Sequence, residues 1–286
     1  MFVKPLVVID FETSGMSPDQ GGRVIEVAAL RLHGDQVTER FVTLINSNVY
    51  LSPFITELTG ITQAMVNRAP LVTEVIPQLL TFIGADSLVA HNASFDEKFL
   101  LAEAARLNQV SLHDGAICSV KLARRILPGL SSYALGSLSK SLNIQSASRA
   151  HRAEADAEVT VNLMRHLGQK LRENYGIQQI EPTLLQAINK LSATKVGDFL
   201  KKSAQPEALS ANKMTQAAIA DGAAPQYFRH YKGRIYELVA EATQESDLTP
   251  VIVYKAQNGS WWTRPKAVFF EDVELDGVLV PRFKAI

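Results

Sequence analysis

The chain has 286 residues, 47% of them hydrophobic and 20% charged, with 29 Lys and Arg against 29 Asp and Glu. That composition suits a globular chain with a substantial core and excludes a disordered or collagen-like one. The balance persists along the chain, 16 basic against 17 acidic residues in 1–175 and 13 against 12 beyond; with no Lys- or Arg-rich tract, non-specific wrapping of duplex nucleic acid is not indicated, and a small, locally contacted substrate fits.

Cys118 is the single cysteine, so no intramolecular disulfide forms and an oxidising compartment gains no support. The apolar run before Asp10 has only five residues. It is too short for a signal-peptide core or a membrane span, and the expectation is a cytoplasmic protein with no membrane partner.

Residues 5–13 read as a strand, a β-branched run ending in Thr13, Ser14 and Gly15. Two more follow at about 23–32 and 36–46, joined by a turn at His33-Gly34-Asp35. Residues 54–83 are predicted mostly helical, with breaks near Gly60 and Pro70. "SLVAHN" (87–92) is a short apolar strand, after which Ser94 is the expected cap of a helix running to about Asn108. Residues 115–127 hold a strand leading into a helix that stops at Pro128-Gly129, and further helices are predicted near 133–142 and 153–173. An antiparallel start followed by strand–helix alternation predicts an α/β fold, one mixed sheet with helices on both faces.

The expected domains are 1–175, a helical linker region at 176–224, and a small β-rich unit at 225–286. Residues 181–201 look like one or two amphipathic helices, and 203–225 is rich in alanine and small polar residues.

Asp10 and Glu12 lie two apart in a strand and leave it by one face, together with Leu6 and Val8. Val7, Ile9 and Phe11 make the other face apolar too, so the strand is expected to be central. Two adjacent carboxylates there repel and are costly to desolvate, which a divalent cation relieves. Oxygen ligands suit Mg²⁺ or Mn²⁺; the alternative is a strand that has already reached solvent, with salt-bridged acids. Asp96 sits in the first turn of its helix, where the helix dipole alone favours an acid. In "HRAEADAEVT" (151–160), helical periodicity places Asp156 on the stripe of Val159, Thr160, Leu163 and Leu167. Glu154 and Glu158 fall on the stripe of Val161, Arg165, Gln169 and Arg172, the expected solvent face. His151 precedes the helix in a loop, where a histidine is either solvated or functional according to its neighbours.

"DFETSG" (10–15), "HNASFD" (91–96) and "HRAEAD" (151–156) resemble, in order, the three motifs of the DEDDh (DnaQ-like) exonuclease superfamily, which includes the proofreading subunit of bacterial DNA polymerase III and exonuclease X. "LTGIT" (58–62) and "ICSVKLARRILPG" (117–129) extend the resemblance, which covers about residues 5–170. It implies a ribonuclease H-like fold and 3′→5′ hydrolysis of nucleic-acid ends with two Mg²⁺ or Mn²⁺ ions. Asp10, Glu12, Asp96 and Asp156 would hold the metals, Asp10 bridging both and Asp96 serving the second, and His151 would be the general base. By the same resemblance, the backbone of Thr13, Ser14 and Gly15 and the side chain of Met16 would hold the terminal nucleotide. Leu58, Thr59 and Ile61 would flank its base, and Asn92 and Phe95 would shape the pocket; Met16 and Ile61 serve equally well as plain apolar packing.

"HYKGRIYELVAEA" (230–242) followed by "VIVYKAQNGSWWTRPKAVFFE" (251–271) resembles a small bacterial domain family of unknown function. Adjacent strand residues point to opposite faces, so at most one of Trp261 and Trp262 is expected in its core. The other, with His230, Tyr231, Arg234 and Arg264, is a candidate for stacking on bases or on a peptide partner.

The expected partners are single-stranded 3′ ends, DNA ahead of RNA. The alternatives are an adaptor that binds ends without turnover and a polymerase-associated proofreading subunit.

Overall fold

The computed structural model describes residues 1–144, 152–204, 226–231, 233–243, 249–256, 261–275 and 278–285. The chain divides into two compact units, Met1–Pro206 and Glu207–Ile286.

In the first unit, β1 (Phe2–Thr13), β2 (Val24–Gly34) and β3 (Gln36–Leu44) form an antiparallel meander, and β4 (Ser87–Ala90) and β5 (Ala116–Cys118) add in parallel. The order β3-β2-β1-β4-β5 makes β1 central, as its two apolar faces require. Leu6 and Val8 enter one core. Val7, Ile9 and Phe11 enter the other, which is covered by α3 (Val72–Ile83) and α4 (Ala93–Arg106). The opposite face carries α5 (Ser119–Ile126), α6 (Leu135–Ser141) and α7 (Ala153–Tyr175). Between β3 and α3, α1 (Pro53–Thr59) and α2 (Gln63–Asn67) close a smaller core around Ile25, Ile55 and Ile61.

Two local expectations change. The helix after β4 starts at Ala93, and its N-cap is Asn92 with φ +80°, not Ser94; the chain turns in a single left-handed step, which asparagine tolerates better than most residues. Val161 is buried rather than solvent-facing, because α7 lies flat on β1 and β2 and its apolar stripe is wider than two positions per turn.

The helices beyond Gly176 are packed into the first unit instead of spanning a linker. Leu185 and Ile188 of α8 (Pro182–Lys190) and Val196 and Leu200 of α9 (Ala193–Ser203) belong to the core of Leu6 and Val8. The cause is the exposed edge of β5, whose backbone groups need partners. Asn189 supplies them like an extra strand residue: its Oδ1 accepts the N–H of Cys118 (2.6 Å), and its Nδ2 donates to the Cys118 carbonyl (3.3 Å).

In the second unit, β6 (Gln226–His230), β7 (Ile235–Thr243), β8 (Pro250–Ala256), β9 (Trp261–Pro265) and β12 (Phe283–Ala285) form a sheet of order β12-β6-β7-β8-β9, and β10 (Asp272–Leu275) pairs with β11 (Val278–Pro281). A short helix, α10 (Lys266–Phe269), brings Phe269 onto an aromatic core. There it stacks on Phe283 at 4.0 Å, with Phe228 and Tyr254 at its edges. Trp261 and Trp262 are both about half exposed, on β9, the edge strand of that sheet.

Candidate active site

The site forms where the carboxyl half of β1 meets the first turn of α7. Asp10, Glu12 and Asp156 can each offer one carboxylate oxygen such that all three lie within 4.8 Å of one another. Asp156 comes from the stripe of α7 that also buries Val159, Thr160 and Leu163. Glu154 and Glu158 point away and reach Arg40 of β3 at 3.1 and 2.7 Å. They tie the helix to the sheet across a solvent-exposed bridge.

Asp96 is almost fully buried and accepts a hydrogen bond from the N–H of Phe11 (3.1 Å). The pairing of β1 with β4 ends at Val8, so on that side Phe11 has no strand partner, and the first turn of α4 supplies the acceptor. Asp96 stands outside the tight set of three but shares its electrostatics. Burial, then the charges of Asp96, Asp156, Glu12 and Glu26, push the Asp10 carboxyl far above the usual carboxylate range. Burial, Asp156 and Glu26 raise Glu12 to about 7. Burial raises Asp96 to about 7 against the opposing Phe11 hydrogen bond. Burial and mutual repulsion disfavour the charged forms of Asp10, Glu12 and Asp96, and the donor set is all oxygen. Both features fit a hard divalent metal.

Glu26 and Arg152 belong to this centre and were not singled out from the sequence. Glu26 faces Glu12 across the β1–β2 ladder. Its buried carboxylate accepts from the Arg152 guanidinium (2.6 Å) and from the N–H of Ala153 (3.0 Å), the first residue of α7. One signal was available: Glu26 is the only charged residue in the apolar run "VIEVAAL". His151, the expected general base, lies outside the described residues.

Around the acids, Thr13 is buried with its hydroxyl on the Gly15 carbonyl (2.7 Å). Ser14 closes the following loop by pairing with Arg23: its N–H donates to the Arg23 carbonyl (2.8 Å), and its Oγ accepts the Arg23 N–H (3.0 Å). The Arg23 guanidinium is held by the buried Glu103 of α4 at 2.7 and 2.9 Å. Gly22 is required there, because a Cβ would lie 2.8 Å from the Ser17 carbonyl oxygen. Met16 projects from the loop, 81% exposed. Asn92 is exposed, and Phe95 packs against Phe99. Leu58 is exposed on α1, with Phe54 one turn before it. Thr59 and Ile61 are buried; the Thr59 hydroxyl donates to Ile55 and accepts from the Ile61 N–H. Leu58 is the exposed one of the three.

A family model described as an exonuclease (RNase_T) matches residues 7–164, and one described as a protein of unknown function (DUF1653) matches residues 226–285. DNA polymerase III subunit epsilon of Aquifex aeolicus is 33% identical over 60% of this chain and 84% of that protein. The PolC-type DNA polymerase III of Oceanobacillus iheyensis is 39% identical over 60% of this chain, which spans only 12% of that relative's length. Among solved structures, the nuclease domain of 3′hExo, a DEDDh family member bound to rAMP, superposes with a TM-score of 0.52 at 21% identity, over 59% of this chain and 93% of that one. That likeness speaks for the ribonuclease H-like fold. With the family model covering more than half of the chain and the epsilon subunit matched over most of its length, this chain belongs to the RNase_T exonuclease family.

Proposed function

We propose that the protein is a divalent-metal-dependent exonuclease that releases 5′-mononucleotides from the 3′ ends of single-stranded nucleic acid, DNA in preference to RNA. The observation that carries this reading is the meeting of Asp10, Glu12 and Asp156, three oxygen donors gathered from distant parts of the chain. The DNA preference rests on the similarity to two DNA polymerase III proteins.

In this reading Asp10, Glu12 and Asp156 would hold one Mg²⁺ or Mn²⁺, and Asp96 would serve a second. When bound, the ions supply neutralisation of the scissile phosphate, activation of water and stabilisation of the leaving oxygen. His151 accepts the proton of the attacking water on an imidazole nitrogen. The backbone of Thr13–Gly15, with Met16, Leu58, Asn92 and Phe95, orients the terminal nucleotide. Glu26 keeps the start of α7 against β2, so that Asp156 meets Asp10.

A cytoplasmic location is part of the reading, supported by the single, unpaired Cys118; no helix of the described residues is long and apolar enough to cross a membrane. A time course on matched DNA and RNA oligomers, single- and double-stranded, with and without EDTA, tests the whole proposal. Metal-dependent mononucleotide release, fastest from single-stranded DNA, is the expected result, and binding of ends without turnover would replace the enzyme by an adaptor.

A further inference from the structure

The charges of the first unit are sorted in space. Residues 1–115 carry 13 acids against 7 Lys and Arg, whereas the segments 116–144 and 182–204 carry 8 Lys and Arg against one acid, Asp198. Those segments are β5 and the four helices α5, α6, α8 and α9; α5 packs against α7, α8 and α9, and α6 packs against α7. Leu122, Ile126, Leu138, Ile188, Val196 and Leu200 share one core. The Arg125 guanidinium donates to the Leu191 carbonyl at 2.9 and 2.7 Å, pinning the α8–α9 junction against α5.

The exposed charges of this layer are mostly basic, with Asp198 of α9 the one acid among them. Lys121 and Arg124 of α5, Lys140 of α6, Lys190 of α8, and Lys195 and Lys202 of α9 are all exposed. None makes an ion pair among the described residues. Cations elsewhere in the unit do: Lys98 with Asp19, Arg40 with Glu154 and Glu158, Lys170 with Glu173. Like charges gathered this way repel one another, and a polyanion relieves the repulsion.

The layer also reaches the active site. His91, at the end of β4 and next to Asn92, accepts from the Ser119 hydroxyl at the start of α5 (2.9 Å) and donates to the Tyr133 carbonyl (3.0 Å). The Arg124 guanidinium lies over the Tyr133 ring at 5.6 Å. Tyr133 therefore links the two, its backbone carbonyl bound to His91, the residue before Asn92, and its ring under Arg124. Helices α8 and α9 fall beyond the matched exonuclease residues 7–164, so part of the surface is an addition to that domain.

We infer that the α5–α6–α8–α9 face binds the phosphate backbone of the nucleic acid whose 3′ end lies at the acid cluster, an inference that rests on the exonuclease reading above. The surface makes long substrates bind more tightly than short ones, through contacts that read charge and not sequence.

The test uses the full chain. Binding of a labelled single-stranded 30-mer, and of the same strand paired to leave a short 3′ overhang, is measured in EDTA over a series of KCl concentrations. The measurement is repeated with the variant K121Q/K140Q/K195Q/K202Q, whose substitutions are all on exposed side chains. Hydrolysis of a trinucleotide in Mg²⁺ is followed in parallel. The expected result is a fall of at least about tenfold in 30-mer or overhang affinity at low salt, with the log–log salt dependence shallower by up to roughly 3 for four lost phosphate contacts. Trinucleotide hydrolysis stays at the wild-type rate, which also shows that the variant is folded. Whichever arm shows the larger loss identifies single strand or duplex as the backbone bound. Equal affinity and equal salt dependence in variant and wild type, with hydrolysis intact, would overturn the basic-face proposal alone. Absence of trinucleotide hydrolysis by the wild-type protein would instead remove the exonuclease reading.

Discussion

Arg152 and Glu26 join the entry of the long helix to the second strand: the guanidinium reaches the buried carboxylate at 2.6 Å, and that carboxylate also takes the N–H of Ala153. Removing one partner leaves the other's charge poorly compensated. Arg152→Ala is expected to cost about 1–3 kcal/mol in denaturant-induced unfolding. Glu26→Gln, which keeps one acceptor for the Ala153 N–H, should lower kcat by roughly 10–100-fold through misplacement of α7. A Glu26→Gln enzyme with unchanged kcat would show that the pair is structural only.

The helical faces of residues 153–160 have different fates. Asp156→Asn is expected to reduce exonuclease rate by more than about 10³-fold, in line with the loss of a group essential to the reaction. Glu154→Ala and Glu158→Ala should each retain the wild-type rate. Their shared bridge to Arg40 is partly exposed, so each costs under about 1 kcal/mol of stability. Equal losses in all three variants would contradict the geometry in which Asp156 alone faces Asp10 and Glu12.

Raised carboxyls give the metal-free protein a defined pH response. Glu12 and Asp96 sit near 7 and Asp10 far above its ordinary value, while in the unfolded chain these groups titrate near 4. Between about pH 4 and 7 the folded state binds more protons than the unfolded one, so their contribution to stability falls as pH rises through that window. A divalent ion competes with those protons. Added Mg²⁺ should raise Tm strongly at pH 8 and little at pH 5.5. At a free concentration 100 times Kd, the stabilisation is about 2.7 kcal/mol, or roughly 5–11 °C for a domain of this size. An equal Mg²⁺-induced rise at both pH values would refute the linkage, and Asp10→Ala should abolish the rise.

His151→Gln separates proton transfer from metal binding. A lost general base lowers the rate by about 10²–10⁴-fold, and the pH–rate profile should lose the limb that a neutral imidazole provides. The Mg²⁺-dependent Tm rise should persist. If it disappeared with the rate, His151 would be a ligand to the metal.

Local order in this chain is written locally. The alternation of Leu6 and Val8 against Val7 and Ile9 specifies a strand buried on both faces, and it puts Asp10 and Glu12 on one side because side chains repeat every two residues. The 3.6-residue period of α7 likewise separates Asp156 from Glu154 and Glu158 before any neighbour is known. Recurrence of the three short motifs in order then points to one site.

What only the tertiary structure decided are matters of register and packing between distant segments. Glu26 becomes part of the site because the β1–β2 ladder sets it opposite Glu12, a pairing that no local pattern encodes. Asp96 changes from an ordinary first-turn acid to a buried acceptor because the pairing of β1 with β4 ends at Val8, short of Phe11. The helices after Gly176 join the first unit because Asn189 completes the edge of β5. The charge balance that looks even along the chain becomes locally basic where α5, α6, α8 and α9 share one core. Composition sums charge along the chain, whereas the field at a surface depends on which charges are neighbours in space.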